Sequence, residues 1–131
     1  MYWTCFGFAN FPPNKLHCTH KFLGELTEVQ ANQIKGLLST YFSKVQPWTP
    51  FKAKFNKEEL FGHEKNVHVL ITDLQKKAFY PSLRVLLDRF NQDDFPEYQP
   101  HITCPENWKV WDQELVKYCF MKGDQVIQCW K

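Results

Sequence analysis

Leu16-His17-Cys18-Thr19-His20-Lys21-Phe22-Leu23-Gly24 has a shortened counterpart far downstream, Pro100-His101-Ile102-Thr103-Cys104. Both runs contain His-x-Thr, and both are short, apolar and bounded by turn-forming residues, the pattern of β-strands. Residues i and i+2 of a strand point to one face. His17 and Thr19 therefore share a face, as do His101 and Thr103. If the two strands lie together, two imidazoles and two hydroxyls converge on one space. Imidazole titrates near neutrality and carries protons in either direction. Hydroxyls can donate to phosphate oxygens. The set suits proton transfer on and off a phosphodiester.

Outward from the first run, Tyr2 to Ala9 reads as a strand. Tyr2, Thr4, Phe6 and Phe8 lie on its bulky face, which suits a helix. Trp3, Cys5, Gly7 and Ala9 lie on a smaller face that leaves room for a ligand, with Trp3 at its edge. Asn10 to Asn14 is a turn with two prolines. Gly24 ends the second strand, and Thr27 with Gln30 predicts a helix opened by a capping box. Its buried stripe is Ile34, Leu37, Leu38, Tyr41, Phe42 and Val45, closed by Pro47 and Pro50. Strands follow over 51–61 and around Val67, Val69 and Ile71. A second helix is expected from about Ala78 to Asn91, with Pro81 in its first turn and Phe79, Leu83, Leu86, Leu87 and Phe90 as its stripe. The His101 strand comes next. Residues 105–113 read as loop or a short helical turn, and a hairpin over 115–121 and 125–130 closes the chain.

The order is ββαββαβ plus a hairpin. At 131 residues, 44% of them apolar and 17% aromatic, the chain is expected to form one domain over 1–131. Helices without a strict βαβ rhythm favour antiparallel or mixed sheets in an α+β fold. A net charge of +2 makes no case for duplex DNA. No apolar run approaches the roughly 20 residues of a membrane helix. The start, Met1-Tyr2-Trp3-Thr4-Cys5, has no basic region and does not read as a secretory signal. Five cysteines without a C-x-x-C pair read as free thiols in a reducing, cytoplasmic setting. Cys18 and Cys104 alternate with the motif residues and should face the core.

The H-x-T-x-K-F-L-G pattern at His17, with Y-x-P-H-I-T at Tyr98, resembles the 2H phosphoesterase superfamily, the LigT-like cyclic phosphodiesterases. That resemblance implies a bilobal, pseudo-twofold fold. Its sheets line a central groove, and one helix covers the outside of each lobe. It implies that His17 and His101 are the catalytic proton carriers, with Thr19 and Thr103 on the phosphate and no metal or other cofactor. The family's usual substrates carry a ribose 2′ oxygen at the scissile phosphate: 2′,3′-cyclic phosphates, 2′-5′ linkages, RNA 3′ ends and cyclic oligonucleotide signals. A compact, aromatic-rich chain of this kind is similar to small viral members that destroy such immune signals, which would act in the host cytoplasm. His20 departs from the family's usual apolar residue, and Cys104-Pro105-Glu106 supplies no Arg after the second motif.

Further substrate contacts are expected from Lys21, read on the face of His17 and Thr19, and from Tyr98 and Trp3 as base-stacking rings. Trp108 is a further stacking ring by type. His20 falls on the opposite face from His17 and reads as structural. His63 sits in a polar turn, and His68 reads as a strand-face residue. Two other classes remain open: a non-catalytic RNA- or nucleotide-binding module on the same fold, and a metal-binding protein using His17, Cys18 and His20.

Overall fold

The computed structural model describes residues 1–61, 64–69, 73–91, 98–103 and 111–131. Expectations for His63, Ile71, Cys104 and Trp108 fall outside them.

Among the described residues, seven strands form one sheet: β1 (Tyr2–Phe8), β2 (His17–Gly24), β3 (Phe51–Phe61), β4 (Glu64–Val69), β5 (His101–Thr103), β6 (Trp111–Lys122) and β7 (Gln125–Trp130). The order is β2-β1-β6-β3-β4-β5, with β7 also on β6, and every pairing is antiparallel. The long strand β6 joins the two halves. Its first part pairs with β3, from Phe55↔Trp111 to Phe51↔Leu115. Its second part pairs with β1, from Phe8↔Leu115 to Tyr2↔Lys122, and with β7. The two halves anticipated from the repeated motif are thus the two ends of one continuous sheet. The sheet bends far enough that its end strands β2 and β5 come within 8 Å of each other between Cα atoms. The two motif strands meet there.

One face of the sheet carries the core. Tyr2, Phe6 and Phe8 of β1 join Tyr118 and Phe120 of β6, Phe55 of β3 and Ile102 of β5 in a single cluster with the helices. Helix α1 (Glu28–Thr40) opens at Thr27 with the expected capping box: Thr27 Oγ1 accepts from Gln30 N at 3.1 Å, and Gln30 Oε1 accepts from Thr27 N at 3.0 Å. Two orphan amide donors at the helix start are satisfied in this way. Ile34, Leu38 and Phe42 are buried, but Val45 is exposed. The last turn, Tyr41–Val45, is π-helical, so its wider pitch rotates Val45 off the buried stripe.

The second helix breaks in two, α2 (Asp73–Ala78) and α3 (Pro81–Leu87), rather than running from 78 to 91. Proline disfavours helical geometry at the residue before it, and Tyr80 takes up a left-handed conformation at φ 47°. For a residue with a Cβ this costs on the order of 1 kcal/mol. The Tyr80 ring is held in place by Phe42, Trp48 and Tyr41, at centroid distances of 5.3, 5.8 and 6.0 Å. Leu83 and Leu87 are buried as expected, whereas Leu86 faces solvent.

Two of the cysteines depart from expectation. Cys119 and Cys129 form a disulfide, while Cys5 and Cys18 are buried free thiols. Cys119 and Cys129 are directly opposed across the β6–β7 hairpin, with Cα atoms 4.1 Å apart. Spacing in sequence does not disclose that pairing, because the strand register creates it. No helix among the described residues is long and apolar enough to cross a membrane.

Candidate active site

The face of the sheet opposite the core is built from the alternate residues. Cys5, Cys119 and Met121 form a second small cluster there, with Trp3 and Cys129 against it. On β2, Thr19 is opposite Cys5 and His17 is opposite Gly7, so both motif residues stand on this face and are half-buried. Cys18 and His20 turn into the core instead. His17 Nδ1 donates to the Pro13 carbonyl at 2.6 Å, since a carbonyl can only accept. This fixes the tautomer and leaves Nε2 with its lone pair. The Trp3 ring lies against the imidazole, centroid to centroid 4.4 Å, and its indole N–H donates to Gly123 O at 2.8 Å. The turn of the closing hairpin thus fixes the wall beside His17.

On β5, His101 and Thr103 flank the buried Ile102. His101 Nδ1 donates to Gln99 O at 2.8 Å, so a backbone carbonyl orients this ring as well. The two histidines sense each other. Burial holds the His17 pKa below its ordinary 6.5, the Pro13 carbonyl works against that, and His101 pushes it down further. His17 and His101 therefore stand on the two end strands where these approach each other, with Thr19 and Thr103 two residues along each strand.

Two expected site residues lie elsewhere. Lys21 is fully buried, and its Nζ pairs with Asp88 at the end of α3. The cause is a bulge. Cys5 is opposite Thr19, but Thr4 is opposite Lys21, so His20 is an extra residue on β2. An extra residue reverses the alternation. Lys21 moves to the core face with Thr4, and Phe22, opposite Trp3, moves out to the groove face and is exposed. Tyr98 is likewise not an open stacking ring. Its hydroxyl donates to the Thr19 carbonyl at 2.6 Å and lies 3.6 Å from Cys18 Sγ, and Arg84 sits 5.1 Å from its ring centre. It is a strut that ties the approach to β5 onto β2.

His20 is the structural residue its position predicts. It lies in the core with Nδ1 2.7 Å from the Tyr118 hydroxyl, and burial, with Arg84 nearby, lowers its pKa to about 3. His17 and His20 face opposite sides, which removes the shared metal site considered from sequence. Sequence reasoning missed Lys117, whose stem lies on Gly7. The available signal was alternation along β6, where Lys117, Cys119 and Met121 oppose Tyr118 and Phe120.

A bent antiparallel sheet that brings two His-x-Thr strands together beside a helix-backed core fits the fold that the resemblance to LigT-like 2H phosphoesterases implies. LigT of E. coli in its apo form superposes with a TM-score of 0.63 over 98% of this chain and 95% of LigT, at 15% identity. TT0787 of Thermus thermophilus gives 0.63 over 98% and 96%, at 14% identity. In sequence, the chain is 31% identical over 102 residues to the RNA 2′,3′-cyclic phosphodiesterase of Bacillus subtilis (strain 168), covering 73% of this chain and 54% of that protein. The chain thus spans about half the length of this curated relative. No protein-family model matches it. In fold and over the stretch it shares with this relative, the chain is similar to the 2H phosphoesterases.

Proposed function

We propose that this chain is a phosphodiesterase that opens nucleotide phosphodiesters by general acid–base catalysis between His17 and His101, without a metal. The observation that carries the reading is the junction of β2 and β5, where each strand carries a half-buried imidazole whose Nδ1 is held by a backbone carbonyl. Neutral His17, with its Nδ1 proton held by Pro13, accepts a proton at Nε2 from the attacking water. The water oxygen bonds to phosphorus, the P–O bond to a ribose oxygen breaks, and protonated His101 gives its proton to that leaving oxygen. Each such transfer is typically worth about 10²- to 10⁴-fold. The Thr19 and Thr103 hydroxyls donate to the non-bridging oxygens as charge builds on them, and Trp3 bounds the space where a base would lie.

The likeness to an RNA 2′,3′-cyclic phosphodiesterase favours an RNA end carrying a 2′,3′-cyclic phosphate as the substrate class, with 2′-5′ linkages and cyclic oligonucleotides as the alternatives. The test is product analysis by mass spectrometry on a panel of 2′,3′-cyclic nucleotides, 2′-5′ oligonucleotides and cyclic di- and trinucleotides, with EDTA present. Opening of at least one class in EDTA, lost in the His17→Ala variant, is expected. Activity that needs one added divalent ion would sink the metal-free mechanism. Binding with no turnover of any probe would leave a nucleotide-binding module.

A further inference from the structure

Across the groove face, three strands line up His17, Gly7 and Lys117: Gly7 of β1 is the direct partner of His17 on β2 and of Lys117 on β6. Directly opposed residues share a face, so Lys117 stands in one row with the proposed base. Gly7 has no side chain, and the Lys117 stem occupies the vacated space. A Cβ on Gly7 would lie 2.8 Å from Lys117 Cε and 3.0 Å from its Cγ. The lysine therefore lies back over β1 toward His17 rather than standing out into solvent. It is half-buried, its charge is felt at Cys5, and among the described residues it forms no ion pair or hydrogen bond. An ammonium held in this way, with no carboxylate against it among the described residues, is open to an anion.

Its position says which anion. β5 approaches β2 on one side and β1 lies on the other, so His101 and Lys117 flank His17 from opposite directions. The scissile phosphate must sit between the two proton carriers. The Lys117 stem ends over β1, one strand spacing, about 4.8 Å, beyond the strand of His17. That is past the reacting phosphorus, where the neighbouring phosphate of a longer substrate would lie. We propose that Lys117 binds the phosphate adjacent to the scissile one, so that the site prefers an oligonucleotide, or a nucleotide with a second phosphate, over a mononucleoside cyclic phosphate. This rests on the phosphodiesterase reading and refines its substrate class.

The experiment compares two probes, a mononucleoside 2′,3′-cyclic phosphate and a dinucleotide with a 2′,3′-cyclic end and an internal phosphate, on wild type, Lys117→Met, Lys117→Arg and Gly7→Ala. Lys117→Met is expected to raise KM for the dinucleotide by about 10-fold, the size of one charge-assisted contact. It should leave kcat, and both constants for the mononucleotide, nearly unchanged. Lys117→Arg should recover most of the loss. Gly7→Ala, which keeps the charge but displaces the stem, should reproduce the KM effect in weaker form. An equal KM rise for both probes, or none for either, overturns the inference while leaving the phosphodiesterase reading intact. If wild type cleaves neither probe, the 2′,3′-cyclic phosphate fails as its substrate class, and calorimetric binding of the dinucleotide still decides the matter. Weaker binding to Lys117→Met supports the anion site, and equal or absent binding to wild type and variant overturns it.

Discussion

The pair Lys21–Asp88 separates a structural lysine from a substrate-binding one, and its two halves should respond very differently to removal. Lys21 has no exposed side-chain surface, whereas Asp88 is 37% exposed. Asp88→Ala removes this carboxylate from a buried ammonium. Breaking a buried pair costs roughly 3–5 kcal/mol, and because water already reaches Asp88, about 3 kcal/mol is expected. Lys21→Met keeps the packed stem and removes the desolvated charge, leaving a carboxylate that water can solvate. Its cost should be about 1 kcal/mol or less, of either sign. Urea unfolding followed by far-UV circular dichroism measures both, with equal m-values as the check that the transitions are comparable. The activity of Lys21→Met should stay within a few-fold of wild type, because the bulge at His20 turns this side chain from the groove. A folded but inactive Lys21→Met, or an Asp88→Ala variant no less stable than Lys21→Met, would refute the assignment of Lys21 to the core face.

His17→Ala and His101→Ala should each lower kcat/KM about 10²-fold or more, with the double variant losing far less than the product of the two, since paired proton carriers act as a unit; steady-state kinetics on a cleaved probe would show this. Because burial depresses the His17 pKa and a base must be neutral to act, the acid limb of kcat/KM should lie below pH 6.5, and a limb above that value would exclude His17 as the base. His20 is neutral in both the folded and unfolded chain above pH 6.5, but between 6.5 and about 3 only the unfolded chain binds its proton. Its contribution to stability is therefore full above pH 6.5 and is lost as the pH falls, by about 1.4 kcal/mol per unit. His17 adds a loss of the same sign, so the measurement is the difference in slope between wild type and His20→Asn in urea titrations from pH 7 to 5. Equal slopes would mean that His20 titrates freely.

Local pattern carried much of this protein. Strand alternation placed His17 and Thr19 on one face and His20 on the other, because period-2 geometry needs only neighbours. The capping box at Thr27 and the stripe through Ile34, Leu38 and Phe42 are equally local, and the structure reproduces both. The paired motifs, read as a resemblance, imply the fold class without any tertiary contact. Lys21 marks where alternation stops being sufficient. A bulge inserts one residue between two ladders, and only the partner strand reveals which residue is extra. Tyr98 and the Cys119–Cys129 pair follow the same logic, since a hydroxyl aimed at the Thr19 carbonyl and a disulfide across a hairpin depend on register. The sharing of β6 between the two halves, the approach of β2 to β5, and the row of His17, Gly7 and Lys117 join residues far apart in the chain. They are set by which strands pair and how far the sheet bends, and a one-dimensional pattern of apolar and polar residues is compatible with several such pairings.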